Sequence, residues 1–176
     1  MKYLRRLIWY VCSRLMVAVA VLGLMTMAFY FSMNATNIYV ILKDGMAKRA
    51  QVVMMGEEED LTQYFAPAYL ERDAALIQAR NGESPYQNYY TITGFDHRIN
   101  LNWVWCWPWE DSARATVTER IPAIDGRMRP SAREAASALG WGSTPKWQTT
   151  QYSVLLSREN GQWRVKNLTS IKNLDE

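Results

Sequence analysis

One histidine and two cysteines are all that 176 residues hold of those types, and no charged side chain occurs between residues 15 and 33. Each scarcity excludes something. Cys12 and Cys106 stand alone, without a CxxC partner, so no zinc or dithiol redox motif exists. His97 has no companion for a metal-ligand set, and neither a Ser/His/Asp arrangement nor a glycine-rich phosphate loop can be found. No metal and no cofactor is expected. Acidic residues are missing before Asp44, while Lys2, Arg5, Arg6 and Arg14 carry the only charges before Asn34. Those four account for more than the whole net charge of +3, because the remainder holds 16 basic against 17 acidic residues. A nucleic-acid-binding domain carries a basic surplus of its own, so nucleic acid is excluded as a partner.

What is present begins with the uncharged run. Nineteen residues, 15–33, span roughly 28 Å as a helix, close to a bilayer core. The stretch from Leu7 to Val11 extends it beyond Arg14, whose side chain can snorkel. A cleavable signal has a shorter apolar core and small residues before the cut, whereas Met33 precedes Asn34 here. No lipobox surrounds Cys12, and no polar face exists for burial in a soluble protein. The expectation is a retained anchor in the cell membrane: residues 1–14 a basic cytoplasmic tail, 15–33 the span, and 34–176 an extracytoplasmic domain. The placement of Lys2, Arg5, Arg6 and Arg14 sets that topology, and a membrane between Cys12 and Cys106 forbids a disulfide.

With hydrophobic residues at 49%, the outer part can build a core. Residues 34–37 read as a break. Ile38, Ile41, Leu42, Gly45, Met46, Val53 and Met54 then follow helical spacing to about Met55. Gly56 and the acids 57–60 end that helix and open short helical pieces around Pro67, with a loop at 81–85. From residue 95 the period becomes two: Phe95, His97, Ile99, Leu101, Trp103, Trp105 and Trp107 share one face of a strand. Ala113, Ala115, Val117 and Ile121 mark a second strand. An insertion, 122–148, holds a capping box at Ser131–Glu134 and a C-cap at Gly140. Asn160-Gly161 is a type I′ hairpin signal that would pair Arg158 with Trp163, Leu156 with Val165, Val154 with Asn167 and Tyr152 with Thr169. The fold class is α+β, with a transmembrane helix followed by helices packed on a curved antiparallel sheet.

Helices followed by a sheet that ends Leu156-Ser157-Arg158-Glu159-Asn160-Gly161-Gln162-Trp163-Arg164-Val165 resemble the cone-shaped nuclear transport factor two-like superfamily. Residues 61–73 look like that family's second helix, where Tyr64, Phe65, Tyr69 and Leu70 would line the cone. The likeness covers residues 38–171, and the insertion departs from it. Bacterial type IV secretion assembly factors and the N-terminal domain of the methicillin-resistance penicillin-binding protein are similar in plan. So are envelope and sporulation proteins of Gram-positive bacteria.

Three functions follow. Soluble members of that family use an interior Asp, Tyr or His for proton transfer, which singles out Tyr64, Tyr69, Asp73, Asp96 and His97. Adjacent strand residues face opposite ways, so Asp96 and His97 cannot form a simple pair. Small-ligand binding would use an aromatic pocket of Tyr64, Tyr69, His97, Trp103, Trp105 and Trp107, although that row suits the core better. The expectation that fits best is a non-catalytic scaffold in a bacterial membrane assembly for secretion, sporulation or cell-wall work. Its partners are the bilayer and other membrane or envelope proteins, with room for a homo-oligomer. Contact would run through Ser131, Ala135, Leu139, Trp141 and Trp147, unless that segment merely covers a sheet edge.

Overall fold

The computed structural model describes residues 2–57, 59–138, 140 and 143–174. Lys2–Met55 is one unbroken helix, α1, of 54 residues, about 80 Å long at 1.5 Å per residue. Among the described residues it is the helix long and apolar enough to cross a membrane, and none of its most apolar 18-residue window is buried.

The break expected at 34–37 does not occur. Asn and Thr interrupt helices when their side chains draw backbone groups into non-helical turns, but here Asn34 is engaged across the fold and Thr36 bonds back one turn within helical geometry. Thr36 Oγ1 donates to the Ser32 carbonyl at 2.9 Å, and Asn34 Oδ1 accepts from Arg158 Nη2 at 2.7 Å. With neither Pro nor Gly at these positions, helical geometry continues.

Beyond that point α1 becomes a core element. Ile38, Leu42, Met46 and Ala50 repeat every four residues and are fully buried, the stripe expected of a helix lying on a sheet. Gly45 sits in the same face, where a Cβ would come within 2.8 Å of Tyr64 Cβ. Its bareness lets the Tyr64–Phe65 segment close on the helix. Gly56, at φ +73°, ends α1, as anticipated. The exposed carbonyls are met from outside: Gln87 Nε2 donates to Val52 and Val53, and Ser84 Oγ donates to Val53. The acids after Gly56 bond back to the helix, Glu59 to Lys48 Nζ at 2.5 Å and Glu57 to Gln51.

A 3₁₀ turn at Leu61–Gln63, capped by Asp60, leads to α2 (Pro67–Leu70), α3 (Ala74–Arg80) and α4 (Pro85–Tyr89). Then come β1 (Tyr90–Phe95), β2 (Arg98–Cys106), β3 (Ser112–Arg120), β4 (Ile124–Met128), α5 (Arg133–Ala138), β5 (Thr150–Glu159) and β6 (Gln162–Asn173). The strands form two antiparallel sheets, β1-β4 and β2-β3-β5-β6. The architecture is therefore α+β. The edge of β6 is covered where Ala66 N bonds to the Val165 carbonyl and Val165 N to the Tyr64 carbonyl, which protects it from pairing with another chain.

Four sequence expectations need correction here. The strand read from residue 95 onward is two strands, parted at Asp96-His97. The hairpin turns at Asn160-Gly161 with both φ positive, and Arg158↔Trp163 and Leu156↔Val165 pair as anticipated. A bulge between Leu155 and Leu156, where Lys166 is the extra residue of β6, then shifts the register, so Leu168, not Asn167, faces Val154, and Ser170, not Thr169, faces Tyr152. The capping box does not form, because Ser131 lies inside a 3₁₀ turn, Pro130–Ala132, that has no side-chain cap. The insertion also returns to a sheet, since β4 pairs with β1.

Candidate functional site

The inward face of α1 carries one charge, Arg49, three residues after Met46 and so on the same stripe. A buried guanidinium requires a partner. Asp73, the N-cap of α3, supplies it: Arg49 Nε donates to Asp73 Oδ2 at 2.6 Å and Arg49 Nη2 to Oδ1 at 3.0 Å. Tyr69 Oη, one turn before Asp73, adds a third bond at 2.9 Å, and the Ala75 backbone a fourth. Burial alone would lift the Asp73 carboxyl. The bonds and charge of Arg49, helped by the Tyr69 hydroxyl, overcome it and hold the group below the ordinary carboxylate range. Burial opposes the charge on Arg49, yet Asp73 raises its pKa further. Burial also raises the Tyr69 phenol.

A second buried carboxylate lies across from it. Glu119 has no exposed surface. Its Oε1 is 3.1 Å from His97 Nε2, and its Oε2 accepts from Trp147 Nε1 at 3.3 Å. Asp96 turns away to the surface, where Arg98 pairs with it at 2.6 Å and holds its pKa down. Asp96 and His97 thus diverge as anticipated, although they sit in the joint between strands and not mid-strand. A cavity of about 570 Å³ opens beside these groups, lined among others by Arg49, Ser84, Tyr86, Trp147, Thr150 and Tyr152. Burial pushes the Tyr86 phenol up to about 12, and its hydroxyl reaches the Lys146 carbonyl at 3.4 Å. Chemically the arrangement is a polar interior whose acids and bases already hold one another.

Arg49 and Glu119 were missed by sequence reasoning, though the signals existed. Arg49 keeps the i, i+3, i+4 spacing of the core stripe. Glu119 keeps the inward parity of Ala113, Ala115 and Val117 on β3.

The expected aromatic pocket does not assemble. Tyr69 and His97 belong to the interior just described. Tyr64 lines a separate groove of about 420 Å³ between α1 and the hairpin, with Asn37, Asp44, Gly161 and Trp163. Trp103, Trp105 and Trp107 leave the core altogether. A bulge between Leu101 and Trp103 reverses the parity of β2, so Leu101, Val104 and Cys106 turn inward. Trp103 and Trp105 stand outside at 50% and 46% exposure. Trp107 follows them into the turn and stacks on Trp109, 4.9 Å between centroids, which is 68% exposed.

Of the residues expected to meet a partner, Ser131 and Ala135 are exposed, while Leu139 and Trp141 lie outside the described residues. Trp147 turns inward, to Glu119 and to the Tyr86 ring 6.1 Å away. Lys2, Arg5, Arg6 and Arg14 lie on the exposed start of α1, where the Arg14 guanidinium reaches back over the Tyr10 ring at 5.4 Å. Among the described residues no group of His, Cys, Asp and Glu could hold a metal ion. No protein-family model, no curated protein and no solved structure matches this chain.

Proposed function

We propose that the chain is a single-pass membrane protein whose outer α+β domain serves as a non-catalytic scaffold in a bacterial envelope assembly. One observation carries the reading: the apolar helix continues without interruption into the core of the domain. A span and a domain sharing one helix cannot swivel independently, which suits a fixed place in an assembly. The cationic start of α1 favours a cytoplasmic N-terminus. Helices laid on an antiparallel sheet, with Tyr69 and Phe65 inside, are in keeping with the nuclear transport factor two-like reading. The mutual pairing of Arg49 with Asp73 and of Glu119 with His97 argues for structural roles rather than proton transfer, which needs a group within reach of a substrate.

The cavity beside Arg49, Tyr86 and Trp147 favours a second reading, a small-ligand-binding domain. Photo-crosslinkers at exposed Ser131 and Ala135, used in intact cells, separate the two. The scaffold reading expects adducts with a membrane protein or a second copy. Empty lanes at both positions, together with a small molecule copurifying and quenching Trp147, would favour the ligand reading instead. Orientation has its own check, since a reporter fused after Glu176 and active only in the cytoplasm would overturn it.

A further inference from the structure

The tryptophans expelled from the core occupy a definite height on the molecule. Trp105 meets Phe31 edge-on, with ring centroids 6.1 Å apart, and Cys106 Sγ lies 3.9 Å from the Phe31 carbonyl. The turn after β2 is tied to the same level: Arg158 N bonds to the Asp111 carbonyl at 2.8 Å, while the Arg158 guanidinium bonds to Asn34. Trp105 therefore stands against the last turn of the uncharged run, and Trp107 and Trp109 continue from it in a chain of ring contacts, with centroids 5.4 and 4.9 Å apart. Arg49 and the polar cavity lie fifteen residues further along α1, roughly 22 Å away. Phe29 and Tyr30 are exposed on the helix at the aromatic row's own level, and Trp9 and Tyr10 are exposed at the other end. Those two aromatic pairs are about 30 Å apart along the axis, the thickness of a hydrocarbon core.

Trp and Tyr prefer this boundary because the ring is apolar while the N–H or O–H remains wet. We propose that Trp103, Trp105, Trp107 and Trp109 form a docking surface for the bilayer interface, continuing sideways the aromatic girdle begun by Phe29 and Tyr30. The proposal rests on α1 being a membrane span. The occupant is lipid because the row touches the spanning helix at Phe31 through Trp105 while Trp103, Trp105 and Trp109 stay exposed beside it. It also explains an apolar surface of a kind that a water-facing sheet rarely carries. Nearby charges balance, Glu110 and Asp111 against Arg114 and Arg158, so attraction to anionic headgroups is not required. The helix and the row together would fix the domain's tilt over the membrane.

The test uses the full chain in phosphatidylcholine vesicles, with bromine atoms carried near the top of the acyl chains as quenchers. Flotation with the vesicles, resistant to alkaline carbonate, checks the span. Chain left in the aqueous phase overturns the span and the docking together. For a chain that floats, the comparison is between wild type and Trp107→Phe/Trp109→Phe, two turn residues outside the core. The variant should lose about two fifths of the bromine-quenchable emission, since Trp103 and Trp105 remain in the row and Trp9 at the opposite interface. Equal quenching in the two proteins overturns the docking and leaves the span intact. So does a row shielded from both bromolipid and aqueous iodide, which would mean a protein occupies it. Trp105→Phe, which keeps an aromatic ring against Phe31, supplies a milder variant if the double one fails to fold.

Discussion

The first and second halves of α1 share one helical geometry and face opposite demands. Up to residue 33 nearly every side chain is apolar and exposed, so the helix has no inside face. From Asn34 onward, Ile38, Leu42, Met46 and Ala50 are buried against the sheet, while Lys43 and Asp44 remain outside. Hydrogen bonding along the backbone is the same in both halves. What differs is which solvent the side chains meet, and this decides where a substitution is felt.

The largest effect should come from the single charge on the buried stripe. Arg49→Met strands Asp73 in the interior and is expected to lower domain stability by about 3–5 kcal/mol, read by denaturant unfolding of the full chain in detergent. A loss under 1 kcal/mol would mean that the Arg49–Asp73 pair is not held as described. Next, Leu42→Ala removes fully buried methyl groups and should cost about 2–5 kcal/mol. The matched Leu22→Ala, on the outward half, should leave the same unfolding curve unmoved. Equal losses at the two sites would erase the contrast between the halves.

Acid sharpens it further. Asp73 has a native pKa below its unfolded value, so its stabilisation is complete above about 3.9 and disappears as pH falls through the lower native value. The unfolding midpoint should therefore drop in strong acid, and Asp73→Asn, less stable at neutral pH, should lose that part of the decline. The smallest effect concerns thiols. Cys106 is buried, and burial raises its pKa, so a maleimide should label exposed Cys12 in detergent well before Cys106. Equal rates would mean that the Phe31–Cys106 packing opens readily.

Much of the fold could be read from residue order. The helix end at Met55–Gly56 and the Asn160-Gly161 hairpin rest on local chemistry, a glycine C-cap and a type I′ turn, and local chemistry travels with the sequence. Parity did not survive so well. A single bulge at Asn102 moves Trp103, Trp105 and Trp107 from the expected core to the surface, because side chains alternate with period two and one extra residue reverses every position beyond it. The polar interior was partly legible: Tyr69, Asp73 and His97 stand out by residue type, while Arg49 and Glu119 carry only the spacing of the core stripe and the inward parity of β3, signals that are easily passed over for charged residues.

By itself the sequence determined an uncharged apolar helix at the N-terminus, an α+β domain after it, and the absence of metal-ligand spacing, all of which follow from composition and short-range periodicity. Only the tertiary structure decided that the two helical segments are one, since the Asn34 side chain stops competing for the backbone once Arg158 engages it. It likewise decided which face the tryptophans take, because a bulge is fixed by how β2 fits β3 and not by the order of residues within β2. The aromatic row that residue spacing assigned to the interior stands instead beside Phe31, at the foot of the domain.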